Sequence, residues 1–87
     1  MFQVIVAPRS RKSAVKMPEH YKRRIAEAID VLSRNPVPRE LYDIIKLGGM
    51  YDSYRIRIGD IRMSYVVDWD TKEVHVFEIE RRGKAYK

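Results

Sequence analysis

The 87-residue chain predicts an α+β fold, with strand, helix, helix and three further strands in that order. The expected architecture is a two-helix hairpin packed on one face of a mainly antiparallel four-stranded sheet. Three observations carry this. Tyr21, Ile25, Ala28, Ile29 and Leu32 recur at three- and four-residue spacing, the period of an amphipathic helix. Tyr54-Arg55-Ile56-Arg57-Ile58 alternates apolar and polar residues, and Gly59-Asp60 turns it into a second strand-like run, Ile61 to Val67. One helical block set between strand-like runs is the pattern of helices gathered on one side of an antiparallel sheet.

Taken in order, Phe2 to Ala7 read as the first strand. Pro8 breaks it, and Ser10 is placed to cap a short helix reaching about Lys16. Pro18 suits the first turn of the second helix, whose polar face carries Lys22, Arg23, Glu27, Asp30 and Arg34. Asn35-Pro36-Val37-Pro38 ends that helix, because a residue before proline is pushed out of the α region. Residues 39–53 show no clear period. Leu41, Ile44, Ile45 and Leu47 imply some burial there, and Gly48-Gly49 marks a loop. The strand after Gly59-Asp60 extends to about Trp69, and Asp70 to Glu73 turn the chain into a last strand, Val74 to Glu80.

The core face should hold Tyr54, Ile56 and Ile58 beside Ile61, Met63, Tyr65, Val67 and Trp69, with Phe77 and Ile79 contributed by the last strand. Tyr51, Tyr54 and Tyr65 read as packing residues.

Composition bounds the function. A chain this short implies one domain, residues 1–87, and its 45% hydrophobic content suffices for a small core. The absence of cysteine excludes disulfides, thiolate metal sites and a thiol nucleophile. No apolar run approaches the roughly 18 residues of a membrane span, and no signal peptide is visible, so the expected location is the cytoplasm. Eighteen Lys and Arg against 12 Asp and Glu give a net charge of +6, suited to a polyanionic partner. Arg outnumbers Lys by 11 to 7, which favours phosphate recognition by a planar fork.

The candidate site follows from register. If Ile58 pairs with Ile61, Arg57 lies opposite Arg62 and both share a face with Arg55. Like charges directly across strands destabilise a sheet, so a fold that keeps them there offers them to an anion. The last strand turns Glu78, Glu80 and Arg82 toward that face, and a one-residue slip would exchange Arg82 for Arg81. Tyr86 follows close behind, and Lys84 and Lys87 add cations for RNA.

Such a set fits RNA, with guanidinium groups on phosphate and a tyrosine stacked on a base. It also fits cleavage without a metal, in which a ribose 2′-hydroxyl attacks the adjacent phosphorus and the cations stabilise the transition state. None of the arginines is a convincing general base. The plainer alternative is an exposed sheet face whose arginines are balanced by Glu78 and Glu80.

Other motifs carry less. His20 and His75 lie far apart and read as surface residues. Ser64 has no adjacent base, no His/Asp/Glu cluster has metal-ligand spacing, and Gly48-Gly49 lacks the rest of a phosphate loop.

The order of elements, the hairpin Tyr54 to Val67 and the ending Arg81-Arg82-Gly83-Lys84-Ala85-Tyr86 together resemble the RelE/ParE toxin superfamily, in particular RelE toxins of archaeal type. The resemblance implies the toxin of a type II toxin–antitoxin system. Such a toxin is a ribosome-dependent endoribonuclease that cuts messenger RNA in the decoding site and is held inactive by a cognate antitoxin. It implies catalytic roles for Arg55, Arg57, Arg62, Arg82 and Tyr86, RNA contacts for Arg81, Lys84 and Lys87, and no cofactor. Bacterial members carry lysines at the positions matching Arg55 and Arg57, so arginines there favour charge stabilisation over proton transfer. The competing functions are a gyrase-poisoning toxin of the ParE branch and a non-catalytic basic module that binds RNA or protein.

Overall fold

The computed structural model describes residues 1–49 and 51–82. Seven elements follow one another: β1 (Gln3–Val6), α1 (Pro8–Val15), α2 (Glu19–Arg34), β2 (Asp43–Leu47), β3 (Ser53–Ile58), β4 (Ile61–Asp68) and β5 (Glu73–Arg81). The strands form one sheet in the order β1-β5-β4-β3-β2. β1 runs parallel to β5, and the other neighbours are antiparallel. The α+β class and the helical pair are as the sequence predicts. The sheet has a fifth strand, β2, which lies in the stretch without a readable period.

β2 escaped the period test because it is an edge strand, and only Ile44 of its residues is buried. Leu41 and Ile45, expected to be partly covered, are 67% and 44% exposed. An edge strand has one neighbour, so half of its side-chain contacts are missing and apolar alternation weakens. Arg39 tethers the approach to β2, its Nη1 donating to the Ile44 carbonyl at 3.1 Å.

Pro8 does not merely end β1. It occupies the first turn of α1, where its missing N–H costs nothing. Ser10 therefore lies inside the helix and caps nothing: its side chain is buried, and its hydroxyl has no hydrogen-bond partner among the described residues. Pro18 takes the N-cap position of α2. Tyr21, Ile25, Ala28 and Leu32 of the α2 stripe are buried and Ile29 packs against the same core.

That stripe meets Tyr54, Ile56 and Ile58 of β3, Ile61, Met63, Tyr65 and Val67 of β4, and Val74, Val76 and Ile79 of β5. The predicted Phe77 is not among them, being 46% exposed. The reason is a bulge: Ser64 pairs with Glu78 but Tyr65 pairs with Val76, so Phe77 is an extra residue without a partner on β4. Trp69 also leaves the core. It lies just beyond β4, half exposed, with its edge against Phe2 and its indole N–H donating to Asp52 Oδ2 at 2.6 Å. Tyr51 is exposed as well, whereas Tyr54 and Tyr65 are buried as expected.

Candidate functional site

The hairpin pairs Ile58 with Ile61, the register the arginine argument requires. Gly59 alone of the two turn residues has positive φ, +58°, the position a II′ hairpin reserves for glycine. An added Cβ there would lie 2.9 Å from Nη1 of Arg24 on α2, the end of a flexible side chain that can shift, so the positive φ is what calls for glycine.

Two rows of side chains cross the sheet on the face opposite the helical stripe. The first runs Asp43, Arg57, Arg62 and Glu80 on β2, β3, β4 and β5. The second runs Ile45, Arg55, Ser64 and Glu78. Directly opposite residues place their Cβ atoms about 5 Å apart, so the three arginines form one cationic block.

Local contacts order part of the block. Arg55 Nε donates to the buried Ser64 hydroxyl oxygen at 3.2 Å, and its Nη2 lies 4.0 Å from Glu78. Ser64 thus fixes a guanidinium, its hydroxyl oxygen taken up by Arg55. Arg57 Nε approaches Asp43 at 3.5 Å, a partner hidden from sequence reading because β2 was. A carboxylate beside Ile44 and Ile45 was the one available sign of it. Both pairs are half exposed, where ion pairs contribute about 0–1 kcal/mol. Arg62 makes no ion pair among the described residues. Balance by Glu78 and Glu80, the plainer expectation, is thus realised in the contact of Arg55 with Glu78 and no further.

The end of β5 separates its two arginines. Arg81 pairs with Ile61 on the core side, and its guanidinium stacks 4.5 Å above the Tyr21 ring. Tyr21 also donates its hydroxyl to Asp60 Oδ2 at 3.3 Å, so one α2 residue pins both the hairpin turn and the end of β5. Arg82 is exposed, and its N–H donates to the Asp60 carbonyl at 2.6 Å. Arg82 follows directly after the last residue of β5, beside the hairpin turn. Tyr86, Lys84 and Lys87 lie outside the described residues.

The two histidines stand apart from this set. His20 is exposed with its ring 4.2 Å from that of Tyr21, and His75 is exposed beside Glu73 at 3.0 Å. Among the described residues no three His, Asp or Glu are grouped to hold a metal ion.

Comparison with known proteins agrees with this geometry. Residues 4–86 match the family model described as ParE toxin of type II toxin–antitoxin system, parDE. The chain is 38% identical to RelE1 of Methanocaldococcus jannaschii over 86 residues, 99% of this chain and 96% of that protein. The chain belongs to the RelE/ParE toxin superfamily. RelE structures superpose on it closely. RelE in the RelE–RelB complex of Pyrococcus horikoshii is 36% identical with a TM-score of 0.87, covering 95% of this chain and 97% of that one. The toxin–antitoxin complex of Methanococcus jannaschii gives 26% identity and a TM-score of 0.75, with 94% of each chain covered. The isolated Escherichia coli RelE, 21% identical with a TM-score of 0.76, shares the fold over 99% of this chain and 92% of its own.

Proposed function

We propose that this superfamily member is the toxin of a RelBE-type pair that cleaves messenger RNA on the ribosome. The observation that carries the reading is the cross-strand pair Arg57–Arg62, with Arg55 on the same face; to these the reading adds Arg82, which follows the end of β5. Four guanidinium groups there suit the extra negative charge of a phosphodiester under attack by its own 2′-hydroxyl. Their fork geometry gives bidentate contacts to phosphate oxygens. The chemistry needs the message held in line, and the ribosome supplies that positioning. Tyr86, by its likeness to the family tail, stacks on a base of the substrate.

The cognate partner is an antitoxin whose acidic segment complements the net charge of +6, as the RelE–RelB complexes of the archaeal relatives suggest. No helix among the described residues is long and apolar enough to cross a membrane, and a cytoplasmic site of action suits a ribosomal target.

The deciding experiment adds purified protein to ribosomes paused on a defined message and maps the ends by primer extension. Cuts should appear only with ribosomes present. Arg62→Ala or Arg82→Ala should slow cutting by about 10²–10³-fold, while Arg81→Ala should change it little. Intact message together with nicked supercoiled DNA in the presence of gyrase would give the chain the gyrase-poisoning function. RNA binding without any product would make it a binding module.

A further inference from the structure

Every cation on the arginine face of the described residues is a guanidinium, which does not release its proton near neutral pH. Attack by a ribose 2′-hydroxyl nonetheless needs a group to take its proton. Ser64 is buried and accepts from Arg55, and His75, across from Val66 in the next row of the same face, is exposed and engaged with Glu73 at 3.0 Å. The carboxylates remain. Asp43 stands on the edge strand at 3.5 Å from Arg57, and Glu78 at 4.0 Å from Arg55. Glu80 is placed differently. It is half-buried directly across from Arg62, two residues before Arg82, with no ion pair among the described residues. With Glu78 it also borders a cleft of about 330 Å³ between α1 and β5, shared with Arg9, Ser10 and Ser13. A carboxylate among phosphate-binding cations repels the substrate, and Asp43 and Glu78 offset that cost by pairing with Arg57 and Arg55, whereas Glu80 has no such ion pair among the described residues.

We propose that Glu80 is the general base of the RNA cleavage, an assignment that rests on the interferase reading above. The Glu80 carboxylate takes the 2′-hydroxyl proton as the 2′-oxygen bonds to phosphorus. The bond from phosphorus to the 5′-oxygen breaks, and that oxygen leaves with a proton from water. The products are a 2′,3′-cyclic phosphate and a 5′-hydroxyl, and Glu80 returns its proton to solvent. Charged groups surround it on each side: Arg62 from β4, Arg82 past the end of β5, Glu78 along the strand and Arg9 from α1.

The test compares wild type, Glu80→Gln, Glu80→Asp and Glu78→Gln in single-turnover cleavage on paused ribosomes across a range of pH. Matching far-ultraviolet spectra and melting points verify that the variants fold. Glu80→Gln should cut about 10²–10⁴-fold more slowly, bind ribosomes as well as wild type, and lose the decline in rate on the acid side. Glu80→Asp should recover part of the rate, and Glu78→Gln, which removes the carboxylate beside Arg55, should lose less than Glu80→Gln. Glu80→Gln cutting at the wild-type rate or faster would make Glu80 a charge balancer and overturn the assignment, as would a loss confined to Glu78→Gln. Wild-type protein that leaves the message intact fails the interferase reading itself, a result distinct from either.

Discussion

Asp52, just ahead of β3, gathers three neighbours. The Trp69 indole donates to it at 2.6 Å and the Tyr54 hydroxyl at 2.8 Å, and Lys46 lies 3.5 Å away. These hydrogen bonds, that of Trp69 foremost, hold its carboxyl below the usual carboxylate range. A carboxylate depressed in the folded state adds stability above its unfolded pKa of about 4, and that stability is lost as pH falls through the folded value. Asp68, held low chiefly by the Thr71 N–H, acts in the same window. Melting temperature followed from pH 6 downward should therefore drop below about pH 4, and Asp52→Asn should show a smaller drop, with the Asp68 share remaining. Tyr65 carries the opposite shift: burial pushes its phenol well up, so it stays protonated and donates to the Pro36 carbonyl at 2.7 Å.

At the scale of elements, α2 supplies most of the cover for the sheet, and Leu32 is its deepest large side chain, fully buried. Leu32→Ala should cost about 2–5 kcal/mol in denaturant unfolding, whereas Arg23→Ala on the exposed side should stay within about 0.5 kcal/mol. α2, the hairpin and the last strand were legible in the sequence because each has a buried face and a polar face, which print a period; α1, with Ser10 its one buried residue, was marked only by Pro8. The arginine rows were legible for the same reason. Gly59-Asp60 fixes the register to the residue, and register alone brings Arg57 to Arg62. β2 was not legible, since an edge strand with one buried residue prints none, and with it went Asp43. Phe77 failed for another cause: a bulge shifts the count of two by one, and only the partner strand reveals it. Beyond the bulge the pairing is regular again, so Ile79 is buried and Arg81 shares its side of the strand, stacked on Tyr21.

For the molecule as a whole the net charge is +6, while in the two cross-strand rows the three arginines are matched by Asp43, Glu78 and Glu80. Affinity for single-stranded RNA should fall linearly on a log–log salt plot. Replacing Arg57, Arg62 and Arg82 by alanine should flatten the slope by about 0.7 for each phosphate that is no longer neutralised, measurable by fluorescence titration between low and high salt. The topology carries a consequence in time. β1 is among the first segments synthesised, yet its sole strand partner is β5, with Gln3 beside Glu73 and Val6 beside Val76. At about 5–20 residues per second, several seconds separate the two during translation. Until β5 arrives, neither the sheet nor the arginine face can be completed. The arginine face is therefore completed only after nearly all of the described chain has been made.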